Sequence, residues 1–164
     1  MKKNSTVAKK LFLVVLLAFI SYEGFSQMKT YAWDTYKIKF KVPETFTVEI
    51  TNVNAWVGYD NTLTLAVYPR KNEYLPQEGI KKALYNWMVN NGVTNIDEGT
   101  EIDPEKMNRY SGFLHEGTVD NYKVEAALLV DPDYPNISFY IFIKYTNERL
   151  DDVINILSSF APII

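Results

Sequence analysis

Cysteine is absent and histidine occurs once, at position 115, in a chain of 164 residues. Those two facts exclude disulfides, thiolate metal sites, iron–sulfur clusters, a cysteine nucleophile and any zinc site built on several imidazoles. His115 stands between Leu114 and Glu116. As a general base it would need an orienting acid and a nucleophile within hydrogen-bond reach. No Gly-x-Ser-x-Gly elbow or comparable nucleophile motif is present. The expected role of His115 is therefore structural, on the same strand face as Phe113.

Carboxylates are the next candidates. Asp97, Glu98, Glu101, Asp103 and Glu105 fall within nine residues. Calcium needs six to eight oxygens in fixed geometry, and the Asp-x-Asp-x-Asp-Gly spacing that supplies them is missing here. Asp131, Asp133 and Asn136 form a second oxygen cluster, but Pro132 and Pro135 mark that segment as a turn. Both clusters read as solvated loops, so no metal and no cofactor are expected. Two acids facing each other across a cleft would permit glycoside hydrolysis. A carboxylate-based hydrolase thus stays open as an alternative, with no catalytic residue assigned.

Aromatic side chains are the compositional excess, at 15% of the chain with 12 tyrosines. Periodicity assigns Tyr36, Phe40, Trp87, Phe113, Phe139 and Phe142 to the core. Trp33 precedes the regular alternation of its strand, and Trp56 is flanked by Ala55 and Val57, which prefer the opposite face. Exposed aromatic rings mark places where partners or sugar rings dock. Trp33, Trp56 and Tyr59 are accordingly the candidate ligand- or partner-binding residues, expected to line a groove between sheet and helix.

Charge and hydropathy set the context. Lys2, Lys3, Lys9 and Lys10 precede the uninterrupted apolar run Leu11–Ile20, and Gly24 and Ser26 follow where a signal peptidase accepts small residues. This is the three-part pattern of a secretory signal peptide. Ten apolar residues rise only ~15 Å as a helix, short of a ~30 Å hydrocarbon core, which argues against an uncleaved anchor. Cleavage is expected between Ser26 and Gln27, giving a periplasmic or secreted protein. Loss of residues 1–26 removes four lysines and one glutamate, leaving 13 basic and 19 acidic groups and a net charge of −6. Such a chain does not seek phosphate backbones or anionic lipid heads, so neither nucleic acid nor membrane is an expected partner. About 140 residues suffice for a core without covalent staples.

The elements follow from pattern. Residues 31–42 alternate, with Tyr36, Ile38, Phe40 and Val42 inward and Lys37, Lys39 and Lys41 outward; such lysines are common on sheet edges. A short strand with Phe46, Val48 and Ile50 on one face follows. Residues 55–59 and 62–68 read as a hairpin turning at Asp60-Asn61, both tolerant of positive φ. A helix over 76–91 opens on Pro76 and closes at Asn91-Gly92. A short extended piece lies near 93–103. Three antiparallel strands are expected at 109–119, 122–130 and 137–145, with a turn at Asp120-Asn121 between the first two. The last two are apolar on both faces and so must be covered above and below. A final helix spans 148–159, capped by Thr146 or Asn147. Antiparallel runs rather than strand–helix alternation give class α+β, one domain over 27–164.

The strand Tyr36-Lys-Ile-Lys-Phe-Lys-Val-Pro-Glu-Thr-Phe46, the hairpin end Leu65-Ala-Val-Tyr68, the apolar strand Phe139-Tyr-Ile-Phe-Ile143 and the close on Ser158-Ser-Phe160 together resemble the PsbP-like and DcrB-like proteins. The resemblance spans most of 31–160 and implies an α/β/α sandwich, an antiparallel sheet with helices on both faces, acting as a binding or assembly accessory. It brings no catalytic residue with it. The leading expectation is an exported, non-catalytic binding or accessory protein of the cell envelope, with an unidentified protein or small ligand as its partner. A small-ligand carrier with an aromatic groove is the first alternative.

Overall fold

The computed structural model describes residues 26–163; the expected signal peptide lies almost wholly outside them. Among the described residues, ten strands, two helices and one 3-10 turn follow in order: β1 (Met28–Trp33), β2 (Ile38–Pro43), β3 (Thr47–Thr51), β4 (Trp56–Tyr59), β5 (Leu63–Lys71), α1 (Gln77–Asn90), β6 (Thr100–Ile102), β7 (Ser111–Val119), β8 (Tyr122–Val130), β9 (Ile137–Tyr145), the 3-10 turn Asn147–Arg149, α2 (Leu150–Ser158) and β10 (Ala161–Pro162). Every strand pairing is antiparallel. The class is α+β. No described helix is long and apolar enough to cross a membrane.

The strands form two sheets. Seven run in the order β3-β4-β5-β9-β8-β7-β6, and three in the order β1-β2-β10. The small sheet was not foreseen. Residues 31–42 are not one strand but a hairpin, because Trp33-Asp-Thr-Tyr36 forms a turn: the N–H of Tyr36 donates to Trp33 O at 3.0 Å, and Lys37 adopts φ 52°. β2 is thereby the central strand of its sheet. Its lysines do not guard an edge, although Lys37, Lys39 and Lys41 are exposed as expected.

β8 and β9 lie at the middle of the large sheet, and alternation splits their side chains between two apolar clusters. Phe139, Ile141, Ile143, Tyr145, Ala127 and Leu129 join Ile38, Phe40 and Val42 of β2, Val153, Ile156 and Leu157 of α2, and Phe160. Val124, Ala126, Leu128 and Tyr140 join Ile80, Leu84 and Met88 of α1. Phe40 stacks on Phe160 with ring centroids 4.8 Å apart, and Trp56 meets Phe40 edge-on at 5.0 Å.

Local chemistry explains the turns. At Asp120 the backbone takes φ 52°, as its hairpin requires. The Asp60 turn works differently, without positive φ. Its carboxylate accepts the N–H groups of Thr62 at 2.9 Å and Leu63 at 3.0 Å. Gly92 closes α1 at φ 78°. β3 breaks its expected alternation at a bulge between Val48 and Ile50, and both side chains are exposed.

Candidate functional site: a half-covered sheet face

α1 lies over β7 and β8. Its cover thins beyond β8: Trp87 reaches Tyr68 of β5, and the outward side chains of β3 and β4 on that face stay partly open. Register places Ile50 opposite Val57, Tyr59 opposite Thr64 and Val57 opposite Ala66, so these residues share one face. Tyr59 is 39% exposed and Ile50 37%. Between this open wing and the C-terminal half of α1 runs a half-open groove of about 300 Å³. Trp87 and Asn91 form its helical wall. Ala66, Tyr68 and Phe142 form the floor, with Val57, Thr64 and Lys144 at the margin. Val119 and Asp120 of the β7–β8 turn close one end.

Trp87 is the hinge of this geometry. Its indole contacts Tyr140 at 5.1 Å, Tyr68 at 5.9 Å and Phe142 at 5.9 Å. The last two meet it at interplanar angles of 60° and 78°. Rings set edge-on leave a slot rather than a flat platform. Asn91 donates its side-chain N–H to Trp87 O at 2.8 Å, which ties the groove wall to the end of the helix. Lys144 holds its ammonium 4.9 Å from the centroid of the Tyr122 ring. Among the described residues neither Lys144 nor Asp120 is in an ion pair.

The three aromatics named from sequence are not brought together. Trp33 is 5% exposed and packs edge-on against Tyr36 at 4.9 Å. Trp56 is fully buried beside Phe40 and Tyr31. Neither lines the groove. Trp56 turns inward because Gly58, two positions on and on the same face, leaves room for its ring; a Cβ at Gly58 would sit 2.6 Å from Trp56 Cη2. Tyr59 alone of the three is exposed, one ladder position from Thr64 at the groove margin. Trp87 and Phe142, which periodicity assigns to the core, and Tyr68, to which it assigns no role, are the aromatics that do line it. Their half-burial was the missing signal, and it depends on where α1 sits across the sheet.

His115 does find an acid. Its Nδ1 lies 3.1 Å from Asp97 O and 3.2 Å from Asp97 Oδ1, and the same carboxylate oxygen accepts the N–H of Glu116 at 2.9 Å. No nucleophile completes the set: Nε2 is buried with no hydrogen-bond partner, and the ring packs against Phe113 and Tyr85. The pair fastens the segment before β6 to β7. Gly99 marks the same approach, at φ 69°, where a Cβ would stand 2.5 Å from both His115 Nδ1 and Leu114 O. The other acids of that segment disperse. Glu98 pairs with Lys81 at 3.6 Å, and Asp103 with Lys106 at 3.7 Å. Among the described residues no three acids or histidines converge as metal ligands. At the Pro-rich turn, Asp131 accepts the N–H groups of Asp133 and Tyr134, and Asp133 pairs with Arg109 at 2.6 Å.

Glu125 and Asp60 are carboxyls of shifted acidity. Burial pushes Glu125 up to about 8, assisted by Glu116, directly opposite it in the ladder, and by Asp97. Asp60 lies below its ordinary value: burial alone would raise it, but the Thr62 N–H and the Arg149 guanidinium outweigh that. Arg149 also bonds Asp152 at 2.6 Å, so one guanidinium joins the β4–β5 turn to α2.

No family model matches the sequence, and no curated protein matches it. Solved structures do share the fold. Cyanobacterial PsbP (CyanoP) from Synechocystis sp. PCC 6803 superposes with a TM-score of 0.57 at 13% identity, covering 85% of this chain and 95% of that one. The Ran-binding protein Mog1p of Saccharomyces cerevisiae superposes at 0.56 with 11% identity, covering 85% and 97%. The fold is PsbP-like.

Proposed function

We propose that the chain is an exported, non-catalytic binding protein of the cell envelope that serves as an accessory or assembly factor. In this reading residues 1–26 are a cleaved signal peptide and 27–164 one domain. That domain is an α/β/α sandwich, with α1 over one face of the large sheet and α2, together with the small sheet, over the other. The observation that carries the reading is the half-covered face: an aromatic-lined groove beside an open three-stranded wing, with Tyr59 at its margin. Apolar surface rimmed by polar groups marks interaction sites. Trp33 and Trp56 serve that surface from beneath, as packing. Mog1p, of the same fold, is a Ran-binding protein, which makes protein binding by this architecture physically reasonable.

The test is site-specific photocrosslinking in the producing cells, with a benzophenone side chain at Tyr59 and, as control, at Tyr134, which is exposed on the β8–β9 turn. A discrete adduct from position 59 alone is expected. Equal labelling at both positions, or none at 59, overturns the reading. N-terminal sequencing of the mature protein is expected to begin at Gln27.

A small-ligand carrier is the second reading, favoured by the groove volume of about 300 Å³. That is the lower end of the range occupied by small-molecule sites.

A further inference from the structure

Two opposite charges stand at the groove and do not meet. Asp120 is fixed by the left-handed backbone of the β7–β8 turn. Lys144 projects from β9 and holds its ammonium near the Tyr122 ring. Each comes from its own rigid element, and neither is in an ion pair among the described residues. Both stand toward the β7–β8 turn, Lys144 at the Tyr122 ring and Asp120 in the turn itself, and beyond them lies an apolar slot whose rings, Tyr68 and Phe142, stand edge-on to Trp87. An apolar slot with a positive and a negative anchor at one end is complementary to a molecule with an apolar body and a pair of opposite charges at one end of it. The volume of about 300 Å³ limits that body to the size of one or two residues. A flat sugar ring would want an open platform, which the edge-on rings deny it. An anionic amphiphile would have to approach a mature chain of net charge −6 with Lys144 as the sole cationic anchor among the described residues lining the groove.

We propose that the groove between α1 and the β5–β9 floor binds a free α-amino acid with an aromatic or branched apolar side chain, its carboxylate on Lys144 and its ammonium on Asp120, and the side chain in the slot below Trp87. This rests on the groove reading above and names its ligand.

The experiment titrates L-phenylalanine into the mature chain labelled with 5-fluorotryptophan and follows the three fluorine resonances, with Trp87→Phe assigning the groove signal. Trp87 is expected to shift, while Trp33 and Trp56, packed in the other cluster, stay still. N-acetyl-L-phenylalanine amide, which lacks both charges, is expected to bind about tenfold more weakly or less, the loss that one charge-assisted hydrogen bond implies. Lys144→Met and Asp120→Asn are each expected to cost L-phenylalanine a similar factor and to leave the amide's affinity unchanged. Thr64→Phe, at the groove margin, is expected to block both ligands, and thermal melts of all three variants confirm folding. The proposal is overturned if the amide binds as tightly as the amino acid. It is equally overturned if methyl glucoside or laurate moves Trp87 where L-phenylalanine does not, or if no probe moves it. Should the crosslink at Tyr59 persist while L-phenylalanine leaves Trp87 unmoved, the ligand assignment falls and the binding surface stands. If both fail, the surface falls too.

Discussion

The two faces of the seven-stranded sheet are finished differently. One is sealed: β2, α2 and Phe160 close over Phe139, Ile141 and Ile143, and Phe40, Trp56, Phe139 and Phe160 are each fully buried. The other is covered along β7 and β8 by α1 and left half-open from β5 to β3. A second apolar layer over the whole sheet would bury more area at about 25 cal/mol per Å². The chain leaves that contribution unused on one wing and places aromatic rings beside the gap. The contrast separates a face that holds the protein together from a face free to hold something else.

Substitutions can break that contrast, in descending order of effect. Trp56→Ala, on the sealed side, is expected to destabilise by about 3–5 kcal/mol, the range for deleting a buried large aromatic; chemical denaturation measures it. A loss below about 1 kcal/mol would mean that the seal is loose. Arg149→Ala comes next, at about 2 kcal/mol, because it strands the largely buried carboxylates of Asp60 and Asp152. The wild-type contribution of Asp60 has a pH signature. Its folded value lies below the ordinary 3.8. Its share is therefore present above about pH 4 and lost as pH falls further, so acid denaturation should be shallower in the variant.

Glu125 tests the sealed side from within. Its folded value of about 8 stands above the ordinary 4.5. The folded state thus binds this proton more tightly than the unfolded chain does. The resulting stabilisation is full below about pH 4.5, declines through neutrality and is gone above about pH 8. Glu125→Gln is expected to be more stable than the parent by about 1–2 kcal/mol at pH 9 and little different at pH 4, as read from melts across pH. Smallest of all, Tyr59→Ala is expected to change stability by no more than about 0.5 kcal/mol, the usual surface value, as read by chemical denaturation. A large stability loss there would move Tyr59 from the open face into the core.

Much of this was written locally. Residues 122–130 and 137–145 form strands over the spans that their apolar pattern predicts, and the helix expected over 76–91 runs from Gln77 to Asn90. Each of these depends on side chains a few positions apart. The hairpin within 31–42 was missed because inward alternation continues through Tyr36, which is buried although it sits in the turn rather than in a strand. The burial of Trp56 depends on Gly58, whose missing side chain is what lets the indole fold inward. Asp97 and His115 are 18 residues apart, and only the glycine at 99 hints at their approach. The groove was legible in kind but not in membership. Its lining is set by the lateral position of α1 on the sheet, a long-range outcome that periodicity along one segment does not encode.

The strand order of the small sheet bears on the history of each molecule. β2 is flanked by β1, just before it, and by β10, at the far end of the chain. Ser159 accepts the N–H of Lys41, Ile163 donates to Lys37 O, and Asn108 holds Phe160 O. The ring that stacks on Phe40 therefore arrives more than a hundred positions after its partner. Until the segment around Phe160 is in place, Phe40 has Tyr31 and Trp56 beside it but lacks its stacked ring. Pairings of such long sequence separation slow folding, so the closing of this sheet is expected to come late.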